Sequence, residues 1–310
     1  MNKNKLVFFT NDVELTSIVN NKQSIKTGQL VSTFGIPKLL EIYSGYHFFC
    51  TFFVTTDYAK NFPESVREIV KYGHEIGSHG VTHSNNDAFD LLNLEKQIQK
   101  LDYAKKTLED ISGEDVISFR APALRVNKYT PRALMETGFK IDSSVASQRF
   151  DFFFSFGSKE KIKWLKSPRR PYRCSSNSLA KPGQSTIIEF PLISYLYPYI
   201  GTTLRIAPKI TKMFRTLLTL EAELFDHYPV FLIHPNELIL EIKEKSVLNR
   251  RSDNYLDYLL KEKIRTYLKS KNLGDIAVKL LQEELKCFTK RGFKGICLRE
   301  YYNSIIKEQI

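Results

Sequence analysis

A chain of 310 residues is long enough to bury one α/β domain of barrel size or two smaller ones. Its apolar fraction of 42% and charged fraction of 26% are ordinary for a globular protein, and no segment approaches the ~20 apolar residues of a membrane span. The formal charge of +12 raises a nucleic-acid reading, but neither basic stretch, residues 159–173 nor 243–271, has the form of a recognition helix, zinc finger or RNA-binding signature. No nucleic-acid partner is therefore expected. The surplus reads as a solvated basic face, or as one that attracts an anionic substrate near a membrane surface. Four scattered cysteines, Cys50, Cys174, Cys287 and Cys297, form no CxxC pair, and no export signal is evident. Reduced thiols and a cytoplasmic location are the expectation.

In chain order, residues 6–9 (LVFF) predict a buried strand that ends at Thr10, Asn11 and Asp12. A helix follows Gly35-Ile36-Pro37, and residues 47–54 (HFFCTFFV) predict a second strand. Pro63 opens a helix that Gly73 stops, and GHEIGSH supplies a short strand. Leu94, Ile98, Leu101, Ala104 and Leu108 then form one helical stripe that terminates at Gly113. Five more strands are expected in DVISFRAP, GFKIDSS, STIIEFPL, PVFLIHP and GFKGICLREYY, the last running into a helix. Strands apolar on both faces and separated by helices predict a parallel sheet covered on both sides. With no repeat or linker, residues 1–310 read as a single domain, with a charged helical insertion at about 240–285.

Active sites of parallel α/β folds gather beyond the carboxyl ends of the strands. Asp12, Glu14, His79, His83, Arg120, Asp142 and His234 all fall there. A lone aspartate after a strand is most often a cap, and a lone histidine most often a hydrogen-bonded structural residue. Seven such residues in one architectural position outweigh the single cases. In GHEIGSHGVTH, residues 73–83, His79 and His83 are four apart, a spacing that would bring two imidazoles to one face of a helical turn. Gly77 and Gly80 would let the backbone turn around them, while His74 has no matching partner. Asp12 and Glu14, two apart, would face the same side of the first strand's end, with Val13 toward the core. One carboxylate could then bind a metal while the other acts as general base, and His234 could protonate a leaving group.

These residues resemble the polysaccharide deacetylases, the NodB-like carbohydrate esterase family 4. FFTNDVE resembles the first motif of that family and CTFFVT its next strand. GHEIGSHGVTH looks like the metal-binding motif, FRAPA the Arg-x-Pro motif, GFKIDSS the fourth and FLIHP the final histidine motif. The resemblance implies an α/β fold built as a distorted (β/α) barrel. It implies Asp12 as catalytic base, Arg120 as the arginine that holds it, His234 as acid and Asp142 as the aspartate that tunes that acid. It implies His79 and His83 as ligands of a divalent metal ion, by default zinc, with cobalt, manganese, nickel or iron as alternatives. Pro122 and Ala123 would border the substrate, the Ala123 N–H stabilising the oxyanion. Three departures stand out. Val13 occupies the place of a second aspartate, which makes Glu14 the third ligand; Ala123 replaces a tyrosine; and the tryptophan common in the fourth motif is missing.

The implied reaction is removal of an N-acetyl group from a sugar. Without an export signal, a nucleotide-linked or lipid-linked N-acetyl sugar of surface glycan metabolism is the expected substrate, with peripheral membrane contact. Two aromatic-rich segments, residues 150–158 and 195–205, could stack on sugar or touch a polyprenyl chain. Three rivals remain: a cyclic-amide hydrolase on the same fold, a non-haem iron oxygenase using the two histidines and a carboxylate, and a non-catalytic anionic glycan binder.

Overall fold

A computed structural model describes residues 5–149, 159–225, 227–242 and 265–308. Strand β1 (Leu6–Val13) outruns the apolar tetrad that predicts it, because Thr10, Asn11 and Asp12 are buried in the sheet and bonded there. Thr10 Oγ1 donates to the Phe231 carbonyl at 2.9 Å and Asn11 Oδ1 accepts from Tyr43 Oη at 2.8 Å. These bonds offset part of the cost of burying polar side chains in the strand, although Asn11 Nδ2 stays without a hydrogen-bond partner. A helical rod follows that the hydropathy pattern only half reveals: α1 (Ile25–Leu30), a π-helical turn (Val31–Gly35) and α2 (Ile36–Tyr46). Strand β2 (Thr51–Val54) is half the expected length, since His47 caps α2 at φ 56° and the chain enters the sheet only later.

The middle of the chain follows the expected alternation. It comprises α3 (Thr56–Asn61), α4 (Pro63–Lys71), β3 (Glu75–Ser78), α5 (Leu94–Ser112), β4 (Ser118–Phe119), α6 (Thr130–Glu136) and β5 (Ile141–Asp142). Asn93 caps α5 by accepting from the Lys96 N–H, and Gly113 ends it at φ 71°. Next come β6 (Ala146–Arg149), β7 (Tyr172–Ser175), β8 (Ser178–Pro182), β9 (Ile188–Glu189), β10 (Leu192–Pro198), α7 (Gly201–Ile206), α8 (Pro208–Phe225) and β11 (Val230–Ile233). The chain closes with α9 (Arg265–Lys269), α10 (Asp275–Lys290), β12 (Lys294–Gly295) and α11 (Leu298–Glu308). Of the charged insertion, residues 243–264 lie outside the described residues; α9 and most of α10 are its described part.

The main sheet runs β11-β1-β2-β3-β4-β5-β9-β7-β8, with β12 beside β1. It is parallel from β11 through β9, and β7 pairs antiparallel with β9 and β8. The sheet curls into the distorted (β/α) barrel of an α/β fold. Because all parallel strands point the same way, β1, β3, β4, β5 and β11 end at Val13, Ser78, Phe119, Asp142 and Ile233 on one rim, and that rim with the segments leaving it carries the site. Phe8, Phe9, Phe52, Phe53, Phe119 and Phe231 are fully buried beneath it.

Gly77 serves this packing rather than a turn. A Cβ there would stand 2.7 Å from Phe53 Cδ1 and 3.1 Å from the Ser118 carbonyl oxygen. Gly77→Ala is therefore expected to destabilise the fold by about 1–3 kcal/mol through overpacking, read as a lower urea midpoint at unchanged slope.

Candidate active site

Phe53, Thr10 and Ser143 hold the Asp12–Arg120 pair in place. Arg120 follows β4 and is fully buried, its guanidinium stacked 4.3 Å from the Phe53 ring centroid. Its Nη1 donates to Asp12 Oδ1 at 2.8 Å and to Thr10 Oγ1 at 2.9 Å; its Nε and Nη2 donate to the Ser143 carbonyl and Oγ at 2.8 and 2.7 Å. Burial would raise the Asp12 carboxyl, but the charge of Arg120, then His79 and His234, outweighs it and holds the carboxyl below its ordinary value. Asp12 is thus ionised with one oxygen committed. Its free Oδ2 lies 3.7 Å from His79 Nε2 and 4.0 Å from His234 Nε2, beyond direct hydrogen bonds.

Glu14, His79 and His83 each offer one ligand atom within 4.8 Å of the others. The histidine pair does not sit on a helical turn, as its spacing suggests. It occupies the irregular loop after β3, where Gly80 at φ 73° reverses the backbone and leaves the rings 6.0 Å apart between centroids. His79 Nδ1 lies 2.8 Å from the Arg120 carbonyl, an acceptor, so Nδ1 carries the proton and Nε2 is the free lone pair. Glu14 Oε2 is buried, makes no hydrogen bond and stands 3.4 Å from His83 Nε2. A bare carboxylate oxygen between two imidazole nitrogens is costly alone and fits a divalent cation. His74 lies apart, its Nδ1 accepting from the Cys50 N–H at 3.1 Å and burial lowering its pKa to about 4.

His234, at the end of β11, takes its partner from a residue that motif matching missed. Glu237 Oε1 lies 3.0 Å from its Nδ1, and Glu237 Oε2 in turn accepts from Arg205 Nε at 2.5 Å. Burial would lower the His234 pKa, but the Glu237 hydrogen bond and the charges of Asp12 and Glu237 raise it. Asp142 does not fill that part. It accepts from Ser144 N and Oγ at 2.9 and 2.8 Å, and Ser144 Oγ accepts from the Ala121 N–H at 2.9 Å. Asp142 thereby braces the Arg120–Ala123 segment, while burial pushes its carboxyl and that of Glu189 upward. The HPNE spacing, i to i+3 across a proline turn, was the available signal for Glu237. Ala123 follows the buried Pro122 at φ 53°, a left-handed conformation, and its N–H has no described hydrogen-bond partner.

Comparison with known proteins matches residues 28–141 to the polysaccharide deacetylase family. Over that segment the chain is similar to the polysaccharide deacetylases. It is 28% identical over 135 residues to a peptidoglycan deacetylase of Helicobacter pylori, covering 44% of this chain and 45% of that one. It is 34% identical over 62 residues to a chitooligosaccharide deacetylase of Sinorhizobium fredii, covering 20% and 29%. The chain thus spans about half or less of the length of these relatives. Among solved structures, a Mycobacterium smegmatis protein assigned to the polysaccharide deacetylases superposes with TM-score 0.67 at 17% identity, over 100% of this chain and 93% of that one. A Bacillus anthracis variant, a CE4 family pseudoenzyme with restored enzymatic activity, gives 0.50 at 13% identity, over 97% and 68%. The family match includes His79, His83 and Arg120 but stops short of Asp12, Glu14 and His234; folding brings these three to them.

The aromatic segment at 150–158 lies outside the described residues, as do the side chains of Tyr195 and Leu196. Trp164, the only tryptophan, is 2% exposed and packs in the core.

The Glu237 carboxyl is depressed to about 2: burial opposes this, and Arg205 and His234 overcome it. A depressed acid contributes stability above its unfolded pKa and loses it as pH falls through the folded one. The acid-side loss of stability between pH 4.5 and about 2 should therefore be shallower in Glu237→Gln than in the parent, measured as urea midpoints across that range.

Proposed function

We propose that the chain is a metal-dependent carbohydrate deacetylase, hydrolysing the N-acetyl amide of an amino sugar. One observation carries the reading: a Glu14/His79/His83 cluster with ligand atoms within 4.8 Å lies beside an arginine-held Asp12 whose free oxygen also neighbours His234. A divalent cation held by Glu14, His79 and His83, zinc by default for two imidazoles and a carboxylate, would supply Lewis-acid polarisation of the acetyl carbonyl and acidify water.

The protein's own groups do the rest. Asp12 Oδ2 takes the proton from attacking water, since Oδ1 is occupied by Arg120. The Ala123 N–H is a free donor for the oxyanion that develops on the substrate carbonyl, a contribution of a few kcal/mol in such sites. His234 Nε2 gives its proton to the departing nitrogen as the C–N bond breaks, while Glu237 fixes the ring through Nδ1. Acetate and a free amine result. The +12 charge favours a sugar that carries phosphate or pyrophosphate, nucleotide-linked or lipid-linked, over a neutral polymer.

The deciding assay is acetate release from N-acetylated nucleotide-sugars, lipid-linked sugars, peptidoglycan and chitooligosaccharides, with and without chelator. Turnover is expected only with metal, and retention of full activity after complete metal removal refutes the reading. Asp12→Asn and His234→Ala should each lower kcat by about 10²- to 10⁴-fold with the circular dichroism spectrum unchanged.

The pH profile gives a separate check. His234 must be protonated to act, so kcat should fall as pH rises through its raised pKa. Removing the Glu237 charge removes part of what raises it, so Glu237→Gln should move that alkaline limb to lower pH. A limb that stays in place means that Glu237 does not tune the acid.

A further inference from the structure

Helix α8 carries an apolar face that the core does not use. Its buried residues are Thr211, Leu218 and Thr219, whereas Ile210, Met213, Leu217, Leu220 and Leu224, on the other side, are 44–66% exposed. Their spacing of three, four, three and four is the narrow seam of a heptad, not the broad stripe that packs a helix onto a globular core. The buried and exposed sets point to opposite sides of the helix, so the seam faces away from the domain.

The charges beside the seam change sign along it. Lys209 precedes Ile210 and makes no ion pair among the described residues. Glu223 precedes Leu224 and keeps 24% exposure while bonding Lys5 and Arg291. Both occupy the position that flanks a heptad seam.

We propose that this face is a self-association surface, on which two copies pair their α8 helices antiparallel about a two-fold axis. Setting Met213 of one copy against Leu217 of the other fixes the register. Counting outward in opposite directions then sets Ile210 against Leu220 and brings Lys209 beside Glu223. The seam thus matches its own reverse in both shape and charge, as an isologous contact requires. A lipid surface fits less well, because Glu221 and Glu223 border the C-terminal half of the seam and would face anionic headgroups. A seam of four to five turns is small beside the roughly 800 Å² per partner of a standard interface, so the dimer should depend on concentration.

Sedimentation velocity of the full chain over a concentration series tests this. The parent should pass from monomer to dimer. Leu217→Asp should weaken association by about a hundredfold or more, and Lys209→Glu by about tenfold. Combining Lys209→Glu with Glu223→Lys should restore association, a rescue that a misfolded variant could not give. Asp12→Asn should associate as the parent does, which keeps the result independent of the proposed reaction. A monomer at every concentration, or a dimer indifferent to Leu217→Asp, overturns the proposal. So does a monomer that sediments with phosphatidylglycerol vesicles and is released by Leu217→Asp.

Discussion

A guanidinium with no exposed surface organises this protein. Arg120 spends its donors on Asp12 and Thr10 of β1 and on both oxygens of Ser143, just beyond β5. Burying such a charge is costly unless it is paired and its remaining protons are satisfied. Here the pairing also selects which oxygen of Asp12 stays free. Removing one partner of a buried pair typically costs about 3–5 kcal/mol, so the arrangement that prepares the carboxylate is also part of what closes the sheet around it.

The rest of the site follows from that clamp. The Arg120 carbonyl receives His79 Nδ1–H, so the residue that orients Asp12 also sets the tautomer of a ligating imidazole. Asp142, through Ser144, ties the Ala121 N–H and thus the start of the segment that ends at Ala123. On the opposite side, Arg205 and Glu237 hold His234, a second buried arginine–carboxylate pair with an imidazole on its far end. Both histidines that neighbour Asp12 therefore have their Nδ1 bonded and their Nε2 directed at the same carboxylate oxygen.

Fold similarity alone would not license a reaction, since one fold can carry many functions or none. The functional reading rests instead on the donor set and its surroundings in this chain: an unbonded buried Glu14 oxygen, two imidazole lone pairs and an aspartate with one committed oxygen. Val13, where a second aspartate is common, is wholly buried in the core. The chain continues one residue further before an acidic side chain can turn toward the histidines.

Residue type and spacing were enough to mark β1, β3, α4, α5, β4, β5, β9 and β11, and to gather Asp12, Glu14, His79, His83, Arg120 and His234 at one rim. The reason is that apolar periodicity and glycine stops are local, and parallel strands must all end on the same side. What remained hidden depended on contacts between distant parts of the chain. Thr10 and Asn11 stay in β1 only because Phe231 and Tyr43 bond them, and β6, β7, β8 and β10 are short or mixed in polarity and gain their form from neighbours. The partner of His234 is local, since Glu237 lies three residues on across the proline turn; what only the closed sheet decides is that Arg205 fixes Glu237, and that Asp142 is spent on Ser144. Sequence by itself determined which chemical groups stand at the rim; tertiary structure decided their pairing, because hydrogen bonds in a buried site are chosen by proximity across strands rather than along one.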